Sequence, residues 1–379
     1  MTQITLIKAE LFKQGGLEKY TWQIARDFCS LGIPVTILTS GDVQPIFNDP
    51  LLNIVSLPIS HHLSFLKVIY FDKACTEYLE KHPTPIIFSL DRNRLQTHIR
   101  AGNGVHAAYL QRRSQEEGLL KKTSFALNPL HYAILSLEKR SFENPNLKLL
   151  FTNSEMVKQE ILRFYHTDPE KIAVVHNGVE WVAMQNQFNK WEEEKEKALR
   201  LLNLDPNAFQ FLFIGHNYRR KGLEKLLRAF AIIKNENFQI SVIGKEKRIG
   251  YFHELVKNLG LEKKIIFFGP KKDTATFYQI ADCTVIPSLY DPFANVTVEA
   301  LAMGVPVISS KFNGGNEILT PINGSVIDCL NDSKEFSKIL RNALERSKDT
   351  KSAVAIRESV RHLDFSNQLR LITSATIQS

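Results

Sequence analysis

SLYDPFANVTVEALAMGVPVISSKFNGGNEIL, residues 288–319, is the stretch whose reading decides the fold. An apolar run, CTVIP (283–287), stops at Pro287 just ahead of it. A polar turn then holds Asp291 and Pro292, a helix is expected from near Asn295 carrying Glu299, and a second apolar run, VPVISS (305–310), follows. Strand, acidic loop, helix and strand within about thirty residues make a parallel βαβ unit. Asp291 and Glu299 stand eight positions apart, one after a strand end and one in the early helix, so both can face a crevice at the carboxyl edge of the sheet. Open α/β sheets bind ligands at that edge. The backbone N–H groups of Phe293, Ala294, Asn295 and Val296 open the helix, and its positive end suits a phosphate. Carboxylates beside an anion would repel it, so their partners should be neutral hydroxyls of a ribose or a hexose. The residues read as a site for a sugar attached to phosphate. The plainer alternative is that Glu299 caps its helix and Asp291 only turns the chain.

FIGHNYRRKGLEKLLRAF (213–230) has the same logic: strand, basic loop, Gly, helix. It puts Arg220 and Lys221 at the same sheet edge as Asp291. A guanidinium and an ammonium together suit a diphosphate, whose charged oxygens they can bind. The alternative is a merely basic loop. Gly244 with Lys245, and Gly269 with Pro270 and Lys271, end the next two strands, and their backbones are candidates for cradling a base and ribose.

These stretches resemble the retaining glycosyltransferases of family 4, which have the two-domain GT-B fold. The acid-x7-acid signature reads Asp291-Pro292-Phe293 to Glu299, followed by Ala300-Leu301-Ala302-Met303-Gly304-Val305-Pro306-Val307, and the Arg/Lys-Lys-Gly phosphate site reads Arg220-Lys221-Gly222. Such members usually carry Glu in place of Asp291 and Gly in place of Ala294. Many have Arg directly after the strand Gly, where His216 stands, so Arg219 or Arg220 has to supply that cation. The resemblance assigns Glu299 to ribose hydroxyls, and Asp291 with Phe293, Ala294 and Asn295 to the sugar and phosphates. It also brings Gly15-Gly16, between strand one and helix one, toward the donor's phosphates; read alone, that pair is a turn that would let a diphosphate approach the backbone.

Composition sets the bounds. A chain of 379 residues with 44% hydrophobic and 23% charged residues is an ordinary globular protein of two or three domains. A net charge of +8, shared between the halves, fits an anionic ligand or membrane surface but not a dedicated nucleic-acid binder. Cys29, Cys75, Cys283 and Cys329 show no C-x-x-C spacing and read as reduced thiols of a cytoplasmic protein. The 11 histidines form no H-x-x-x-H pattern, so no metal site is expected. No apolar run reaches the length of a membrane span, and a first strand starting at Ile4 leaves no room for a signal peptide.

In order, strands are expected at 4–9, 33–39, 53–57, 85–90, 148–152 and 172–176, the alternation of a doubly wound domain. Leu17, Tyr20, Ile24, Phe28 and Leu31 fall on one face of the first helix. The segment 91–113 is expected to be a loop at a strand's carboxyl end, and it holds Asp91, His98, Asn103 and His106. Family 4 enzymes commonly place a functional His or Asp here, near the acceptor hydroxyl. His106 is the choice, as a neutral imidazole near its ordinary pKa that orients or accepts the hydroxyl proton; Asp91, His98 and Asn103 are its rivals. The basic and aromatic segment 111–148 reads either as a solvated helix face diluted by glutamates or as a surface for an anionic membrane.

A turn dipeptide, Asn177-Gly178, marks the domain boundary, with a charged helix over 191–204 opening the second domain. The expected architecture is GT-B: two Rossmann-like parallel-sheet domains, 1–178 and 179–363, facing across a cleft, with the tail 364–379 bracing the first. The expected activity is retaining hexosyl transfer from a UDP-glucose-like donor to a glycan or lipid-linked glycan. The nearest subgroup is the bacterial lipopolysaccharide-core hexosyltransferases, working at the inner face of the membrane without a cofactor or obligatory metal. A nucleotide-sugar epimerase and a non-catalytic nucleotide-sugar binder are the alternatives.

Overall fold

The computed structural model describes residues 3–11, 16–117, 125 and 127–379. The chain divides into two compact units, Met1–His176 with Ser366–Ser379, and Asn177–Phe365.

The first unit is a seven-stranded sheet in the order β3-β2-β1-β4-β5-β6-β7, every neighbouring pair parallel. Its strands are β1 (Ile4–Ile7), β2 (Val35–Thr39), β3 (Leu52–Ser56), β4 (Ile86–Ser89), β5 (His98–Arg100), β6 (Leu149–Thr152) and β7 (Ile172–Val174). Strand β5 corrects the reading of 91–113 as one loop. Three residues with a single apolar side chain carry no period, and only pairing with Phe88 and Leu149 on either side makes them a strand. In the first helix, Gly16–Ser30, Tyr20, Ile24 and Phe28 are buried. Leu31 lies past the helix end and is 56% exposed, contrary to the periodicity. The last helix, Phe365–Gln378, belongs to this unit and buries Leu369 and Ile372. Ser379 Oγ lies 2.7 Å from His98 Nε2, and Lys148 donates to the Ser379 carbonyl.

The second unit is a six-stranded parallel sheet, β10-β9-β8-β11-β12-β13. Its strands are β8 (Phe209–Ile214), β9 (Phe238–Ile243), β10 (Ile265–Gly269), β11 (Cys283–Ile286), β12 (Val307–Ser310) and β13 (Gly324–Ile327). The edge strand β13, opened by a Gly and half exposed, had no sequence signal of its own. Central β8 is apolar apart from Gln210 because both faces are covered. Phe211 and Phe213 pack among the helices Leu223–Ile232 and Ile249–Leu259, while Leu212 packs on the opposite side with Leu301 and Ala302 of the helix Asn295–Ala302.

That last helix ends on two buried cations. Arg357, 2% exposed, donates to the Ala302 carbonyl and stacks its guanidinium 4.0 Å from the Trp181 ring. Lys348 donates to the carbonyls of Met303 (2.9 Å) and Tyr278 (3.4 Å) and lies over Trp191. Cations at a helix C-terminus satisfy its orphan carbonyls and oppose its negative end. Burial, and then Lys195, push the Lys348 ammonium down to about 7 against the pull of Asp282 and Glu192.

An unfolded lysine titrates near ~10.4, so above pH 7 the unfolded chain binds a proton that the folded chain has released. Stability should therefore rise with pH from 7 toward 10 on this account. Urea midpoints at pH 7, 8 and 9 should climb more steeply for the parent than for Lys348→Met; equal slopes would refute the assignment.

Candidate functional site

In the second sheet the strand order reverses between β8 and β11, so the crevice of this doubly wound unit opens beyond the carboxyl ends of those two strands. The loop after β8 carries Gly215 to Gly222, and the loop after β11 carries Pro287 to Ala294. Gly222 has φ +77°, and a Cβ there would stand 1.8 Å from the Pro287 carbonyl oxygen, so only glycine allows this approach. Leu289 N–H donates to the Arg220 carbonyl at 2.9 Å. The two loops are thereby laced together, and Lys221 Nζ forms an ion pair with Asp291 Oδ2. Both side chains are mostly buried, at 14% and 9% exposure.

Arg219 and Arg220 flank the pair without a carboxylate partner among the described residues. Arg219 is exposed and near enough to Tyr251 to lower its phenol's pKa, against the dominant effects of burial and Glu224. His216 is exposed, and its Nδ1 lies 2.8 Å from Lys245 N. A backbone N–H can only donate, so Nδ1 accepts and a neutral ring carries its proton on Nε2.

Gly244 departs from the expected role of cradling a base. Its N–H donates to the Gly269 carbonyl, its own carbonyl accepts from Tyr218 OH, and a Cβ would meet the Gly215 oxygen at 2.0 Å. It is a close-packing glycine whose backbone groups are already engaged. Gly269, at φ +67°, has open space on the side where a Cβ would stand.

The helix Asn295–Ala302 starts directly after the Asp291 loop. Phe293 and Ala294 are buried, Asn295 is exposed and Val296 is half-buried. Glu299, one turn along, is half-buried, and its Oε2 accepts from the buried Tyr278 hydroxyl at 2.8 Å. Three partners escaped the sequence reading. Tyr278 and Asn313 were not singled out. Asn177 looked like a boundary turn, yet its side chain donates to the Phe293 carbonyl and to Asn295 Oδ1. No local pattern distinguishes a core tyrosine from one that holds a carboxylate.

In the first unit, Gly15 lies outside the described residues and Gly16 is the first residue of its helix. Asp91 sits beyond β4 and accepts from Lys8 Nζ (3.2 Å) and Ala9 N–H (2.7 Å), both beyond β1. It clasps the point where this sheet reverses. Asn103 is exposed in the turn after β5. His98 does not join them. It is the first residue of β5, hence at the amino edge, fully buried, and flanked by Thr97 Oγ1 and Ser379 Oγ. It is an interior histidine of the sheet's amino edge, where burial, then Lys148, push its pKa down to about 4.

His106 opens the helix His106–Glu117, and its ring Nε2 lies 3.0 Å from His131 Nδ1. Burial first, and then Arg92, push it down to about 4, which corrects the expectation of an ordinary value while keeping the ring neutral at pH 7. Its backbone N–H donates to Glu138 at 2.8 Å. Glu138 had been counted with the solvated glutamates of 111–148. It is fully buried and also accepts from Arg92 (2.6 Å) and Tyr165 (2.6 Å). Lys121 and Lys122 of the same segment lie outside the described residues. No group of His, Cys, Asp and Glu able to hold a metal occurs among the described residues, and no described helix is long and apolar enough to cross a membrane.

The family model "Glycosyl transferases group 1" matches residues 175–362, and "Glycosyltransferase Family 4" matches 14–180. An uncharacterized glycosyltransferase of Methanocaldococcus jannaschii is 32% identical over 46% of this chain and 45% of its own length. The chain thus spans about half of that relative. Lipopolysaccharide glucosyltransferase WaaG of Escherichia coli is 22% identical over 89% of this chain and 88% of its own. The WaaG crystal structure superposes with a TM-score of 0.76 at 20% identity, covering 98% of each chain. HepE of Anabaena, solved with UDP-glucose, superposes at 0.69 with 17% identity over 100% of both chains. The two family models run together from residue 14 to 362, and with the doubly wound pair of sheets they show that the chain belongs to the GT-B glycosyltransferases of the family 4 type.

Proposed function

We propose that this glycosyltransferase moves a hexose, with retention of configuration, from a nucleotide-diphosphate sugar of the UDP-glucose kind to a glycan or lipid-linked glycan. The product belongs to lipopolysaccharide or related cell-surface polysaccharide. The observation that carries the reading is the Lys221–Asp291 pair across the β8/β11 reversal, flanked by Arg219 and Arg220. The solved UDP-glucose complex of HepE and the resemblance to lipopolysaccharide glucosyltransferase WaaG support it.

In this reading Lys221 turns from Asp291 to the donor's phosphates, and Arg220 joins it. Asp291, released, accepts from a sugar hydroxyl, and the N–H groups of Asn295 and Val296 take phosphate oxygen. Glu299, held by Tyr278, accepts from the ribose hydroxyls. The anomeric C–O bond breaks with its electron pair passing to the phosphate oxygen, whose charge the cations stabilise. The acceptor oxygen bonds to the anomeric carbon on the same face and gives its proton to that phosphate oxygen. Neutral His106 orients the acceptor hydroxyl. The reaction needs no divalent ion, and the 111–148 segment rests on an anionic membrane, so anionic vesicles should pellet the protein. No pelleting of the parent would end that part.

A thermal-shift panel of UDP-, GDP- and ADP-sugars tests the donor site. Loss of a contact to a charged phosphate costs ~1.5–3 kcal/mol, so Lys221→Ala should lose most of the best ligand's shift, and Glu299→Ala most of it for the intact nucleotide. An unchanged shift in both rejects the site. Asp291→Asn should behave differently. It frees Lys221, so nucleotide diphosphate binds as well as or better than in the parent, while hexosyl transfer falls roughly tenfold or more for want of the sugar contact. Weaker nucleotide binding in Asp291→Asn would contradict the exchange of partners. Release of nucleotide without any acceptor points to an epimerase, and tight binding without turnover to a binding protein.

A further inference from the structure

The residue at the cap position of the helix Asn295–Ala302 is Ala294, which has the extended cap conformation (φ −70°, ψ 117°) and no side-chain acceptor. A Ser, Thr, Asp or Asn there would normally take the N–H of the second or third helical residue. Here the acceptor comes from another loop and binds elsewhere. Asn313, fully buried, takes the N–H of Ala294 (2.9 Å) and of Gly315 (3.1 Å) on its oxygen. Its amide nitrogen donates to Thr297 Oγ1 (3.1 Å) and Ser309 Oγ (2.9 Å). The orientation is unambiguous, because backbone N–H groups can only donate, and both amide donors and both oxygen lone pairs of the carboxamide are used.

The backbone on either side of Asn313 grips the acid of the site. Asp291 N–H donates to the Phe312 carbonyl, and Gly314 N–H donates to the Asp291 carbonyl, both at 2.9 Å. Thr297 N–H is spent on the Ala294 carbonyl. The N–H groups of Asn295 and Val296 have no acceptor among the described residues.

We propose that Asn313 is the positioning residue of the donor site. It fastens the loop from Asp291 to Ala294 by a donor that lies one place before the helix, and so leaves the N–H groups of Asn295 and Val296 for the donor's diphosphate. The proposal rests on the donor reading above. It assigns the absence of a capping oxygen at residue 294 a function: stability that a local cap would add is given up to keep the helix mouth free for ligand.

Two variants test it by their signs. Ala294→Ser supplies a cap oxygen that competes for the Val296 N–H. Its melting temperature should equal or exceed the parent's, yet the dissociation constant of whichever of UDP, GDP and ADP binds the parent best should rise about tenfold. Asn313→Ala should melt lower and also bind that nucleotide about tenfold more weakly. Affinity thus falls in both while only Asn313→Ala loses stability, which a merely structural role would not produce. Parent-like affinity in Ala294→Ser, or affinity that follows stability in both variants, overturns the proposal. A parent that binds none of the three nucleotides overturns the donor reading itself.

Discussion

The contact on which the second unit's chemistry depends is the passage of Gly222 over the Pro287 carbonyl. The close approach is open only to a residue without a side chain at φ +77°, and it brings the loops after β8 and β11 within reach of each other. Lys221 and Asp291, 70 residues apart in sequence, then share a proton-donating contact where the sheet reverses. An ammonium and a carboxylate held largely out of water cost desolvation energy that their attraction repays only with good geometry. Such a pair is a weak device for stability. It is a useful one for a ligand that can offer the lysine phosphate and the carboxylate a hydroxyl at the same time.

The helix Asn295–Ala302 links this pair to the core. Its carboxyl end rests on Arg357 and Lys348, both buried, and its amino end lacks a local cap. One end is thus anchored by buried basic groups that stack on Trp181 and Trp191 of the same core cluster, and the other presents N–H groups beside Asp291. The dipole of the helix is complemented inside the protein at its negative end, while its positive end opens directly after the loop that carries Asp291. Tyr278 bears on both halves of the arrangement: its hydroxyl holds Glu299 and its carbonyl accepts from Lys348.

The first unit repeats the motif of a lysine and an aspartate across the reversal of the sheet, with Lys8 and Asp91 beyond β1 and β4. Its other polar knot is Glu138, which gathers Arg92, Tyr165 and the backbone of His106. Burying a carboxylate is tolerated there because three kinds of donor converge on it. The cost falls on His106, whose protonated form is disfavoured by burial and by Arg92.

Sequence alone determined the two alternating α/β halves, the apolar strands such as β8 and β11, and the loops that carry Arg220, Lys221 and Asp291 to one edge. Those features are local: a hydrophobic run, a turn and a helical period each declare themselves within a few residues. Tertiary structure decided the rest. His98 became an interior histidine because β5 exists only through its neighbours, and Gly244 became a packing residue because Gly215 lies against it. Glu138, Tyr278 and Asn313 gained their roles from partners on other elements, His106, Glu299 and Ala294 lying 32, 21 and 19 residues away, and a hydrogen bond between separate segments leaves no period, spacing or composition in the chain that a reader could recover.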